Sequence, residues 1–178
     1  ATAAAQEEFR WNASLMVGGS VSGGDGMGGI GAEITRDFGD HLEIGFHAFA
    51  QAEVSEEYED ASGRGYHMSS GYGTLVIKPK ITLGKRWELG FPLETGNGLI
   101  QYRYNGEYRE ELTWTEEIID QVNHSVYSAG IEPKYFLGRR GALSFAAGYL
   151  VTGPIRTELA EGYELNGVWG RMAYSVRF

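Results

Sequence analysis

Apolar and polar positions alternate along much of this chain, and the alternation is clearest at its end. Val168, Gly170, Met172, Tyr174, Val176 and Phe178 share one parity; Trp169, Arg171, Ala173, Ser175 and Arg177 share the other. Successive side chains of a strand point to opposite faces, so a period of two predicts a strand with one apolar and one polar side. The start of the chain repeats the pattern, with Phe9, Trp11, Ala13, Leu15 and Val17 set against Arg10, Asn12, Ser14 and Met16. Between these ends come Ile30, Ala32 and Ile34 against Glu33 and Thr35, then Leu42, Ile44, Phe46, Ala48 and Ala50 against Glu43, His47 and Gln51. A fourth segment sets Leu75, Ile77, Pro79, Ile81 and Leu83 against Thr74, Lys78 and Lys80, and a fifth sets Trp87, Leu89, Phe91 and Leu93 against Glu88 and Glu94. The sixth opposes Tyr127, Ala129, Ile131, Pro133, Tyr135 and Leu137 to Ser128, Glu132 and Lys134; the seventh opposes Leu143, Phe145, Ala147, Tyr149 and Val151 to Ser144 and Thr152. Eight strands are predicted, with Pro79 and Pro92 each removing a ladder donor.

The connections add a second regularity. Tight turns are predicted at Phe38 to His41, Gly84 to Arg86 and Gly138 to Gly141, with longer polar segments elsewhere. Short turns at one end and long loops at the other are the habit of barrels that cross a bilayer by strands. A weak repeat agrees: Ile77 to Leu89 and Ile131 to Leu143 each place Leu-Gly, a basic residue and Arg at the turn of a hairpin. The glycine-rich run Gly18 to Gly31 has no phosphate-loop lysine and reads as a flexible first loop. Asn105-Gly106, between Leu99 to Tyr104 and Glu107 to Trp114, reads as a type I′ hairpin that protrudes from the longest loop, and Thr115 to Val122 as a short helical turn. Two further spanning strands there would make ten, but Arg103, Arg109, Glu110 and Glu111 would then meet lipid.

Composition narrows the class. The 178 residues make one domain, 1–178, with a tail over 1–8 and a long outer loop over about 95–122, and 27 glycines favour strands and turns over a helical bundle. The net charge of -9 argues against nucleic acid, whose binding is driven by Lys and Arg. No cysteine is present, which suits an oxidising compartment. There is no run of about 18 apolar residues, so no helix is expected to span a membrane, and the stretch Ala1 to Ala5 reads as what signal cleavage leaves behind. Outward aromatics at Phe9, Trp11, Trp87, Tyr135, Tyr149 and Tyr174 suit a membrane interface.

The stretch Gly170 to Phe178, apolar at every second position and ending in an aromatic, resembles the closing strand of bacterial outer-membrane barrels. From Phe9 to Phe178 the chain is similar to the small-barrel group that includes the OmpA transmembrane domain, OmpX and the opacity-type proteins. That resemblance implies an all-β, eight-stranded antiparallel up-and-down transmembrane barrel in the bacterial outer membrane. It also implies that Tyr174, Val176 and Phe178 form the signal read by the barrel-assembly machinery.

Eight strands enclose a space that side chains fill, so the inward residues are expected to form a plug and not an open pore. They are Arg10, Glu33, Glu43, His47, Lys78, Lys80, Glu88, Glu132, Lys134, Arg171 and Arg177, of both signs, and are expected to pair in an internal charge network. A subset lining a gated path is the alternative. His124-Ser125 with Glu116 or Glu117 invites comparison with barrel enzymes that modify lipid A, but adjacent residues on a strand face opposite ways. Acidic runs at Glu53 to Asp60, Glu107 to Glu117 and Glu158 to Glu164 belong to outer loops, without the spacing of a dedicated calcium site. The expected function is therefore a non-enzymatic surface barrel, without cofactor or metal, contacting outer-membrane lipid and lipopolysaccharide and acting as a monomer. A small channel and an outer-leaflet lipid-modifying enzyme are the alternatives.

Overall fold

The structure is a computed structural model, and it describes residues 10–22, 25–53, 58–60, 62–106, 112–113, 116–156, 161–162 and 165–178. The strands are β1 (Trp11–Ser22), β2 (Asp25–Phe38), β3 (Leu42–Glu53), β4 (Tyr58–Glu59), β5 (Gly65–Leu83), β6 (Trp87–Gly90), β7 (Leu93–Tyr104), β8 (Ile118–Phe136), β9 (Gly141–Thr152), β10 (Ile155–Arg156), β11 (Glu161–Gly162) and β12 (Gly167–Arg177). All main pairings are antiparallel between neighbours, and β12 returns to β1 from Asn12↔Arg177 to Ser22↔Gly167, which closes the sheet into a ring. Closure leaves no edge strand to satisfy.

The ring has eight spans because β6 and β7 are one. Gly90 pairs with Lys80 and Glu132, and Leu93 with Ile77 and Ala129, so two residues face two on either side and the register carries through. Pro92 has no N–H to give, yet its carbonyl accepts from Gly130 at 3.0 Å, while Phe91 N–H donates to Pro79 at 2.8 Å. The proline breaks the assignment of the strand but not its path.

The alternation separates outside from inside along every span. Leu15 is 73% exposed and Phe46 67%, whereas Glu43 and Lys78 are 0% and 1% exposed. A water-soluble barrel would reverse those faces, since large apolar surface in water is unfavourable and buried charge needs partners. The apolar outer belt is therefore the surface of a barrel that sits in hydrocarbon. Rings cluster where the belt ends on the turn side: Trp87 and Tyr135 lie 4.9 Å apart, and the Arg36 guanidinium sits over Trp11 and Phe38. Gly39 and Gly84 adopt φ of 65° and 79° in the tight turns, where a side chain would be strained.

Four expectations are corrected. The glycine run Gly18 to Gly31 is not a loop: it lies in β1 and β2, which pair Gly18↔Gly29 and Gly19↔Gly28 and are joined across residues 23–24. Glycine disfavours a strand, but β12 and β3 supply ladders on both flanks and override that preference. The outer loop is shorter than 95–122, because β7 runs to Tyr104 and β8 starts at Ile118. Accordingly Leu99 to Tyr104 pairs with β5 and β8, not with Glu107 to Trp114, and Asn105-Gly106 closes no I′ hairpin. Of the helical turn expected over Thr115 to Val122, Ile118 to Val122 is strand instead, and a turn lies ahead of it, where Glu117 N–H donates to the Thr113 carbonyl at 3.1 Å; residues 107–111 and 114–115, with the tail and Phe9, lie outside the described residues.

Candidate functional site

The barrel interior holds the chemistry. β5 presents Lys78 and Lys80 at consecutive inward positions, with Glu43 of β3 to one side and Glu88 of β6, then Glu132 and Lys134 of β8, to the other. Their long side chains meet at the centre. Lys78 Nζ lies 2.8 Å from Glu132, 3.0 Å from Glu33 and 4.0 Å from Glu43. Lys80 Nζ bonds Asp37 and lies 3.1 Å from Glu43 and 3.4 Å from Glu88. Lys134 Nζ reaches Glu43 at 3.1 Å, Glu88 at 3.4 Å and Glu132 at 3.8 Å. Glu43 is thus ringed by three ammonium groups and also accepts from Thr35 Oγ1 at 3.1 Å. Charges taken out of water hold such positions only when their remaining hydrogen-bonding capacity is met, and here each lysine has at least three carboxylates in reach.

A second cluster lies toward the outer end. Arg171 donates to Glu94 at 2.7 Å and to Tyr72 Oη at 2.8 Å, and its guanidinium lies 4.0 Å from the centre of the Trp169 ring. His47 Nδ1 is 3.3 Å from Glu94. Trp169 itself lies flat because Gly130 and Gly148 leave room for it: a Cβ at either would fall 2.7 or 2.6 Å from its Cζ2. Beyond this cluster the lumen is filled by Met68, Ile100, Tyr102, Val126 and Leu150 together with the buried polar side chains of Ser20, Gln51, Ser70 and Thr152. The interior therefore has two charged tiers and, toward the outer end, a packed layer of mixed apolar and polar side chains. Between the tiers a cavity of about 20 Å³ is bounded by Glu33, Glu132, Glu94 and Arg171.

Of the inward set read from the sequence, the structure brings Glu33, Glu43, Lys78, Lys80, Glu88, Glu132 and Lys134 into the first tier and His47 and Arg171 into the second. Arg177 is at the turn-end edge, 3.3 Å from Asp37 and 3.2 Å from Asn12. Arg10 is not part of the interior: it precedes β1 and is exposed at the rim, its carbonyl accepting from Asp37 N–H. Two partners went unnamed in that set. Asp37 follows Glu33 and Thr35 at the same parity, a readable signal next to a turn, and Glu94 continues the parity of Glu88 past Pro92. Tyr174 and Val176 face outward on β12, against Leu15 and Ala13 of β1, and Phe178 is exposed beside them.

The would-be catalytic group does not assemble. His124 is buried in the lumen with neither ring nitrogen bonded to a serine or a carboxylate. Ser125 faces the other way, Glu116 accepts from Thr113, and Glu117 pairs with Arg103 at 2.7 Å. Among the described residues no group of three or more His, Cys, Asp or Glu is placed to hold a metal.

No family model and no curated protein matches the chain. Solved structures do match, over nearly the whole of it. A major outer membrane protein from Thermus thermophilus superposes with a TM-score of 0.65 at 10% identity, covering 96% of this chain and 100% of its own. By fold this is an outer-membrane β-barrel. OprG from Pseudomonas aeruginosa, with a TM-score of 0.57 at 10% identity, covers 96% of this barrel and 95% of its own chain. The attachment invasion locus protein Ail of Yersinia pestis, solved in complex with the heparin analogue sucrose octasulfate, gives 0.55 at 11% identity and covers 96% and 99%. At such identities the likeness carries the barrel and none of the activities.

Proposed function

We propose that this protein is a non-enzymatic, monomeric barrel of the bacterial outer membrane: a plugged, rigid scaffold whose acidic outer connections meet the surroundings and the lipopolysaccharide leaflet. The observation that carries this reading is the filled interior, in which Glu43 joins three lysines across the lumen beneath a packed layer of buried side chains. Paired charge at that density leaves no continuous aqueous path, and the scattered His124, Ser125 and Glu116 argue against lipid hydrolysis. The three long outer connections, residues 54–64, 105–117 and 153–166, hold twelve acidic residues against three basic ones. A sulfated ligand of the kind bound by Ail would be repelled there; lipopolysaccharide bridged by divalent cations, or a basic partner, fits better. Phe178 and Tyr174, outward on the strand that closes the ring, suit recognition by the barrel-assembly machinery.

Reconstitution into planar bilayers tests the scaffold reading: stable insertions with no conductance steps are expected, and reproducible single-channel openings would overturn it. One feature favours a gated path as the second reading. The cavity between the two tiers has room for about one water molecule, and a water there would link Glu132 to Glu94. Openings that change in Lys78→Met would select this reading.

A further inference from the structure

Charge is unevenly distributed along the barrel axis. The turn-end connections, residues 39–41, 84–86 and 137–140, reverse the sign of the outer ones, with Lys85, Arg86, Arg139 and Arg140 against Asp40. Three of these cations converge with Arg10 and Arg177 around a cavity of about 800 Å³ in the turn-end mouth, whose wall also includes Phe136 and Phe178. Arg177 is held in place there, with Asp37 at 3.3 Å and its guanidinium 5.2 Å from the centre of the Phe136 ring. With Asp37 the acid paired to Arg177, the neighbouring Arg139 and Arg140 give this mouth a positive field that favours an anion, and a planar guanidinium fork can bond two oxygens of a phosphate at once.

The height of the mouth selects the kind of anion. Phe178 is 68% exposed, Leu137 is 56% exposed, and Phe178 exchanges both backbone hydrogen bonds with Trp11 at the edge of the apolar belt. The cavity thus spans the line where hydrocarbon gives way to headgroups, and a soluble anion would leave its apolar flank unused. Short turns of such barrels face the periplasm, so this edge meets the inner leaflet. We infer that the turn-end mouth binds an anionic phospholipid, its phosphate on Arg139, Arg140 and Arg177 and its acyl chain along Phe178. The inference rests on the bilayer reading of the belt but adds a site that the scaffold proposal does not require.

The test uses the full chain folded in zwitterionic micelles, followed by amide chemical shifts while short-chain phosphatidylglycerol, short-chain phosphatidylcholine or inorganic phosphate is added. Phosphatidylglycerol is expected to shift the Arg139–Gly141 and Arg177–Phe178 amides with at least tenfold tighter binding than either other ligand. The double variant Arg139→Gln, Arg140→Gln is expected to weaken it roughly tenfold to thirtyfold, since each basic residue near an anionic surface contributes about fivefold. Arg156→Gln, which removes a charge at the outer end, is the control and should change nothing. Equal responses to both lipids, equal binding of inorganic phosphate, or an unaltered double variant would overturn the site. Heat-dependent gel mobility of the same samples reports the barrel separately, so loss of the fold and loss of the site cannot be confused.

Discussion

Glu43 is the residue on which the first interior tier turns. It is fully buried and within 4.0 Å of three lysines, each of which has other carboxylates nearby but none in common with both its neighbours. Removing one member of a buried ionic group leaves uncompensated charge and typically costs about 3–5 kcal/mol. Glu43→Ala is therefore expected to lower barrel stability by roughly that amount, read from urea unfolding in lipid vesicles, and a change below about 1 kcal/mol would show that the tier is hydrated. Asp60 shows the opposite situation in an outer connection. Its carboxylate accepts from Ser62 Oγ at 2.6 Å, from the Ser62 and Arg64 amides and from Tyr104 Oη, which holds its pKa well below the ordinary aspartate range. A folded-state pKa below the unfolded one means that the stabilisation is present at neutral pH and is lost only as pH falls through the depressed value. Hydrogen exchange of the Ser62 and Arg64 amides should accordingly stay protected from pH 7 to 5, apart from the intrinsic rate change. Asp60→Ala, which removes the accepting oxygen, should lose that protection throughout the range.

At the scale of the element, the outward face of each span is judged by lipid. Phe46 lies halfway along β3 and points into the belt, while Ala52 has the same parity near the outer end. An arginine costs about 2–4 kcal/mol at the bilayer midplane and about 0–1 near the interface. Phe46→Arg is expected to destabilise the barrel by the larger amount and Ala52→Arg by the smaller, in reversible unfolding from vesicles; equal effects would mean that β3 does not cross the bilayer. The strands were legible in the sequence because one buried polar face and one lipid face impose a period of two, as in Val168 to Phe178. Where both faces are small, as in Gly18 to Gly31, the pattern vanishes and only the partner strands reveal the ladder. The extent of β7 and β8 was hidden for a related reason: beyond Leu93 and Tyr127 their outward residues, such as Asn97, Gln101 and Asn123, turn polar because the 19-residue β8 and the span formed by β6 and β7 outrun the hydrocarbon. The charges of the interior could be read one by one, but their division into two tiers depends on register, which a single strand does not encode.

For the molecule as a whole, three features belong together: a closed ring without edges, an apolar belt outside and paired ions within, and ends of opposite charge. The ring explains why glycine-rich strands persist, the belt explains why exposed Leu, Ile and Phe side chains are not a liability, and the ion pairs explain how eight spans enclose charged residues. All three fail together if the faces are reversed. Nitroxide scanning of β12 from Val168 to Val176 in lipid vesicles addresses this most directly, because oxygen partitions into hydrocarbon and a water-soluble nickel chelate does not. Oxygen collisions should peak at Val168, Gly170, Met172, Tyr174 and Val176 and fall at Trp169, Arg171, Ala173 and Ser175, with the chelate excluded from the mid-span labels. Oxygen maxima on the second set, or chelate access along the first, would contradict the account.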